Sequence, residues 1–193
     1  MKGRYLLAFM CLMTQSLRAQ LTDEAIRNLK GGNLKEDKSF VYQLPYAKGS
    51  KFLLIQAYNS KMSHQGELSL DFKMKKGSTI CAARAGIVIA TKADSDVGGL
   101  KDEYLSEGNH IIIEQEDGST AMYWHLQKNG VLVKMGDSVK QGQAIGYSGN
   151  TGYTAFPHLH FQVQDKEGHD LATRFNTKNG IRYLRPGKWY RAL

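Results

Sequence analysis

Short runs rich in Val, Ile, Leu, Tyr and Phe recur from residue 52 onward, broken again and again by Gly, Asn or Asp. Such spacing predicts strands at 52–58, 68–72, 79–83, 86–91, 110–115, 119–126, 143–147 and 158–164, with a hairpin at Asp117-Gly118. Twenty glycines against three prolines supply tight turns in number, which favours a sheet-rich fold over a helix bundle. The expected class is all-β: one mostly antiparallel β-sheet domain. Residues 93–109 break the rhythm and read as a long loop, as does SGNTGYTAFP before His158.

The first nineteen residues differ from the rest. Lys2 and Arg4 precede an apolar run to Met13, and the segment ends in polar residues and Ala19, the pattern of a secretory signal. The run is too short to span a bilayer, and no later segment reaches that length. Export to the periplasm or beyond the cell is therefore expected, with no membrane span after the signal is removed. The expected organisation is a signal at 1–19, a polar lead-in at 20–44 with a short helix at 23–29, a domain at 45–165 and a tail at 166–193 that includes a short extended run at 188–191.

Losing Lys2, Arg4 and Arg18 with the signal leaves 23 basic against 18 acidic residues, so the formal charge falls from +8 to +5. The cations are scattered, with no basic helix or aromatic-interleaved stripe, and no nucleic-acid partner is expected. Cys81 would be the only cysteine left, which excludes an intramolecular disulfide. It reads as a small core residue.

HLHFQV, residues 158–163, carries the most chemical information. On a strand His158, His160 and Gln162 share one face, while Leu159, Phe161 and Val163 share the other. Two imidazoles so placed can both reach one metal, or one can ligate while the other moves protons. A catalytic zinc needs roughly three protein ligands. Asp71 is a candidate because it interrupts an apolar strand pattern, where a carboxylate is costly unless paired or bound to metal; the alternative is a turn-capping aspartate. His64 and His125, each taken singly, read as a surface and a packing histidine. His110 and His169 flank turns and join no constellation.

SHQGELSLDFKMKKGSTICAARAGIVI, GNHIIIEQEDGSTAMYWHL and VKMGDSVKQGQAIGYSGNTGYTAFPHLHFQV together resemble the successive motifs of the lysostaphin-type (glycyl-glycine endopeptidase) zinc metallopeptidases, in the family's order. The resemblance covers about residues 45–165. It implies a grooved β domain of the duplicated hybrid-motif type and one zinc per chain, held by His64, Asp71 and His160. His125 and His158 match the assisting histidines, and Tyr58 matches a tyrosine near the reacting carbonyl. Many members put three residues between the first His and the Asp, whereas six separate His64 from Asp71, so a turn or bulge must intervene, and Gly66 can supply it.

The implied activity is exported endopeptidase cleavage of peptide cross-links or stems in bacterial peptidoglycan, with an activating or targeting envelope protein as a further partner. Two alternatives are a secreted protease for Gly-rich proteins and a non-catalytic activator of other wall hydrolases. Retention of all five histidine and aspartate positions counts against the latter.

Overall fold

Ile111 and Ile113, Ala121 and Tyr123, and Leu159, Phe161 and Val163 occupy every second position of three neighbouring strands, and all are buried. That alternation builds one apolar face and leaves the other for chemistry. The computed structural model describes residues 40–193 together with Arg27, which is helical. The expected export signal, most of the lead-in and the rest of the short helix lie outside the described residues.

The strands are β1 (Val41–Tyr42), β2 (Lys51–Gln56), β3 (Leu70–Lys73), β4 (Thr79–Cys81), β5 (Gly86–Lys92), β6 (Gly98–Gly99), β7 (Asn109–Glu114) and β8 (Thr120–Val131). They continue with β9 (Ser138–Val139), β10 (Ala144–Ser148), β11 (Gly152–Tyr153), β12 (His158–Gln164), β13 (Arg174–Thr177), β14 (Gly180–Arg182) and β15 (Lys188–Arg191). Ten of them form one antiparallel sheet in the order β15-β2-β3-β12-β8-β7-β5-β9, with β10 bridging β8 and β4. β1 pairs with β13 and β6 with β11 in parallel. The fold is all-β and mostly antiparallel, as expected. The expected strands agree with the observed ones to within a few residues, except that β8 runs on past Leu126 to Val131.

Edge-to-face aromatic contacts knit the core. Phe161 meets Tyr123 at 5.2 Å, Phe175 at 5.9 Å and Tyr42 at 6.3 Å between ring centroids. Phe175 comes from the segment expected as a tail. That segment is instead part of the fold: β13 pairs with β1 and β14, β15 joins the main sheet on β2, and Phe175 and Leu184 are fully buried. Its polar sequence hides this because only every second or third residue points inward. Cys81 is buried, and burial pushes its thiol up.

The long loop at 93–109 holds β6 and a 3-10 turn at Asp102–Glu107. Through β6 it docks on β11, so the two loops foreseen from sequence stand side by side near the histidines. Among the described residues no helix is long and apolar enough to cross a membrane.

Candidate metal centre

Asp71 sits on the non-core face of β3, directly opposite His160 on β12 and Gln56 on β2. Gln56 arrives there through a bulge. Leu54 pairs with Phe72 and Gln56 with Asp71, so Ile55 is the extra residue and the glutamine turns onto Asp71's face. Its Nε2 donates to Asp71 Oδ2 at 2.8 Å and to Ser63 Oγ at 2.9 Å, while its Oε1 accepts from the Ser63 backbone N–H at 3.3 Å. Reversing the amide would set an oxygen against the carboxylate, so the network fixes its orientation.

His64 is not on a strand. It lies in the turn-rich loop between β2 and β3, where Gly66 takes a left-handed φ of 81° and Glu67 N–H donates back to the His64 carbonyl at 3.1 Å. The loop is closed by Asn59, whose N–H donates to Glu67 O at 2.8 Å and whose Oδ1 accepts from Gly66 N–H at 2.9 Å. This turn absorbs the six intervening residues and returns the His64 ring to Asp71. His64 Nε2 stands 3.1 Å from Asp71 Oδ2, and His160 Nδ1 stands 3.1 Å from Oδ1.

Strict alternation would send His125 to the core face, because Tyr123 points inward and Trp124 outward opposite His160. A bulge prevents this. Leu126 pairs with Asn109 and Trp124 with His110, leaving His125 as the extra residue, and its φ of 65° is left-handed. Such a conformation costs about 1–3 kcal/mol in a non-glycine residue. It turns the ring toward the face that carries Asp71 and His160, 4.6 Å from His158 and 5.9 Å from His160 between centroids.

His125 Nδ1 donates to Thr151 O at 2.8 Å, and His158 Nδ1 donates to Phe156 O at 2.8 Å. Each neutral ring therefore carries its proton on Nδ1 and keeps an unprotonated Nε2. His158 Nε2 lies 3.6 Å from Asp71 Oδ1. Burial, then the repulsion that a protonated ring would meet from a protonated His158 or His160, brings His125 down to about 3. Burial likewise lowers His158. Asp71 behaves oppositely: burial resists its ionisation, but hydrogen bonds from His160 and His64 and the charges of His160 and His158 hold it well below the carboxylate range. For His64 burial is outweighed by the Asp71 hydrogen bond and charge, which raise it.

Tyr58 does not belong to this group, contrary to the expectation from resemblance. It is fully buried, and its hydroxyl accepts from Thr173 N–H at 2.8 Å and donates to Thr173 O at 3.0 Å. With both capacities used on the backbone, it clamps the chain leading into β13 and is closed to a substrate. Gln56 and Thr151 are the residues that sequence reasoning missed. A glutamine ending the apolar run FLLI was a readable signal; Thr151 acts through its carbonyl, which no side-chain pattern reveals. His110 lies within β7 and meets Trp124 in a tilted ring contact, 4.3 Å between centroids.

The donor set suits a divalent metal. The ligand atoms of His64, Asp71 and His160 all lie within 4.8 Å of one another. A tetrahedral zinc with bonds of about 2.0–2.2 Å separates its ligands by about 3.3–3.6 Å, a few tenths of an ångström more than the two 3.1 Å spacings around Asp71. Asp71 is 2% exposed and faces imidazoles, with no Lys or Arg counter-charge among the described residues, an arrangement that a cation completes. Asp165, Glu167 and His169 form the other such group among the described residues. There Asp165 caps its own turn by accepting from the N–H groups of Glu167 and His169.

The chain is similar to several known peptidases. Lysostaphin from Staphylococcus simulans is 42% identical over 93 residues, 48% of this chain and 17% of that protein. Peptidoglycan DD-endopeptidase ShyA from Vibrio cholerae is 34% identical over 93 residues, 48% of this chain and 19% of that protein. The chain thus spans about a fifth of the length of these curated relatives. Among solved structures, the catalytic domain of the prophage-encoded M23 protein EnpA from Enterococcus faecalis superimposes with a TM-score of 0.50 at 26% identity, covering 65% of this chain and 93% of that one. Residues 64–172, more than half the chain and carrying all five site residues, match the model of peptidase family M23, and the chain belongs to that family.

Proposed function

We propose that this chain is an exported zinc-dependent endopeptidase that hydrolyses peptide bonds in bacterial peptidoglycan. The observation that carries the reading is the pairing of a His64–Asp71–His160 donor set, in which His64 and Asp71 are buried and His160 half-buried, with two neutral histidines, His125 and His158, whose rings stand 4.6 Å apart beside it. Family membership and the peptidoglycan DD-endopeptidase activity named for ShyA support the substrate class.

His64 Nε2, one Asp71 oxygen and His160 Nδ1 would hold the zinc, which as a Lewis acid polarises a carbonyl and brings the pKa of water to about 7. His125 and His158 do the proton work. Their Nδ1–H groups are tied to backbone carbonyls, so each keeps a lone pair on Nε2 and can accept a proton from attacking water. Once protonated, the same atom becomes a donor. It can then stabilise the oxyanion and return the proton to the departing amine.

Residues 1–19 supply the export part of the reading, and Lys2, Arg4 and the apolar run are the support for it. The complete set of five site residues favours catalysis over a purely activating role. The test uses purified full-length protein and isolated peptidoglycan sacculi. About one zinc per chain by elemental analysis, release of amino termini from the sacculi, and loss of both on chelation are expected. Cleavage by metal-free protein, or no cleavage by zinc-loaded protein, overturns the proposal.

A further inference from the structure

The site face of the sheet continues beyond the metal centre. One row of paired residues runs from His158 on β12 to Lys73 on β3, Leu53 on β2 and Trp189 on β15. Residues paired across antiparallel strands project to the same side. Trp189 therefore shares the face of His158, three strands away, about 14 Å at the usual strand spacing. Beside it Lys51 pairs with Arg191 on the same face.

Trp189 is 60% exposed, with Lys51 Nζ 5.7 Å from its ring centroid. Nearer the site, Lys73 Nζ lies 5.8 Å from the Phe156 ring, which in turn stands 5.5 Å from His158. Phe156, Lys73, Leu53, Trp189, Lys51 and Arg191 thus form a strip that combines aromatic or apolar groups with cationic ones. No acidic residue belongs to β2 or β15, and the one acid of β3 is Asp71. Beyond Asp170 the chain to residue 193 holds six Lys or Arg and no Asp or Glu side chain.

Because β15 is the outer strand of the sheet, charges on it are accounted for by protection against edge-to-edge pairing. The indole is not. An exposed indole offers a flat apolar face to a ligand, and this one lies in line with His158.

We infer that this strip is an extended binding subsite for the glycopeptide strand that carries the scissile peptide, with a sugar ring against Trp189 and peptide carboxylates on Lys51, Lys73 and Arg191. The inference rests on the peptidoglycan reading above and deepens it. Flat apolar sugar faces suit an indole, and the carboxylates of a peptide-bearing polysaccharide match cations that have no acidic partner on the strip. Engagement of a long polymer at two points about 14 Å apart raises its effective concentration at the metal centre without altering the chemistry there.

The test compares parent, Trp189→Ala, Trp189→Tyr and Lys51→Ala/Lys73→Ala proteins on intact sacculi and on cross-linked peptides freed of sugar. Trp189→Ala should raise KM on sacculi about tenfold with kcat preserved, a loss at least several times larger than on sugar-free peptides. Trp189→Tyr keeps a stackable ring and should recover most of it; the double lysine variant should raise KM and weaken its salt dependence. In the unmodified protein, glycan strands stripped of peptide should shift the tryptophan fluorescence, and Trp189→Tyr should abolish that shift. This measurement stands even where the alanine variant folds poorly, which its melting temperature reveals. Equal KM for parent and Trp189→Ala on sacculi, or equal losses on sacculi and sugar-free peptides, overturns the inference. So does Trp189-dependent binding to phosphatidylglycerol vesicles with none to glycan strands, which makes the strip a membrane contact. A parent that leaves sacculi intact overturns the peptidoglycan reading itself, whereas a parent that digests them alongside an equally active Trp189→Ala overturns the subsite alone.

Discussion

Gln56 holds Asp71: its side-chain amide donates to Oδ2 of the buried carboxylate at 2.8 Å. His64 Nε2 and His160 Nδ1 also lie 3.1 Å from that carboxylate, but the same two nitrogens are the ones that would bind the metal. With them so engaged, the glutamine amide remains as the donor that orients Asp71. Its second proton reaches Ser63, next to His64, so one residue positions two of the three candidate ligands.

Replacing Gln56 with Met keeps the side-chain length and removes both hydrogen bonds. Zinc affinity should fall about 10-fold to 100-fold, the usual effect of losing a group that orients a ligand. Chelator competition measures it. Ser63→Ala, which spares the bond to Asp71, should have a smaller effect. An unchanged zinc affinity in Gln56→Met would show that the amide is only a packing element.

The histidines should fail in two different ways. His160→Ala removes a ligand, so bound zinc and turnover should drop together. His125→Ala and His158→Ala should keep near-stoichiometric zinc while turnover drops about 100-fold to 10,000-fold, the range of general acid–base assistance. Zinc content, melting temperature and wall-digestion rate on the three proteins read this out. An emptied site in His158→Ala with a full one in His160→Ala would reverse the assignment.

Acid stability should depend on Asp117. Burial resists its ionisation, but the hydrogen bond from Ser119 and the hydrogen bonds and charge of Arg84 outweigh burial and lower it. A carboxyl whose folded value lies below its unfolded value stabilises the fold fully above the unfolded value, about 3.9, and loses that contribution as pH falls through the folded one. Thermal melts between about pH 6 and pH 2 should therefore show the parent losing more stability than Asp117→Asn, with the two curves converging at the acid end. Parallel curves would mean that the Arg84 pairing contributes nothing to folding.

Phe175→Ala tests whether residues 166–193 belong to the fold. Phe175 is fully buried between Phe161 and Tyr42, and truncating such a ring costs about 3–5 kcal/mol. Denaturant unfolding should show a loss of that size in a single transition. A negligible change would return the segment to the status of a loose tail.

Local chemistry was legible in the residues: alternation in HLHFQV announced a histidine face, and an aspartate amid Leu68, Leu70 and Phe72 announced a partnered carboxylate. Strand positions were legible too, since a period of two with glycine and asparagine breaks has few other solutions. Three matters were decided only in three dimensions. Alternation puts His125 on the core face, and a bulge with a left-handed residue turns it back. A tyrosine six positions before His64 reads as a neighbour of the site, but the Ala57–Asn59 corner sends it inward to Thr173. The register of β15 on β2 lines Trp189 up with His158, although thirty-one residues separate them in sequence. Periodicity specifies which face a residue takes within a regular strand. Bulges, turns and long-range register are set by the packing of the whole sheet, and those decide which faces meet.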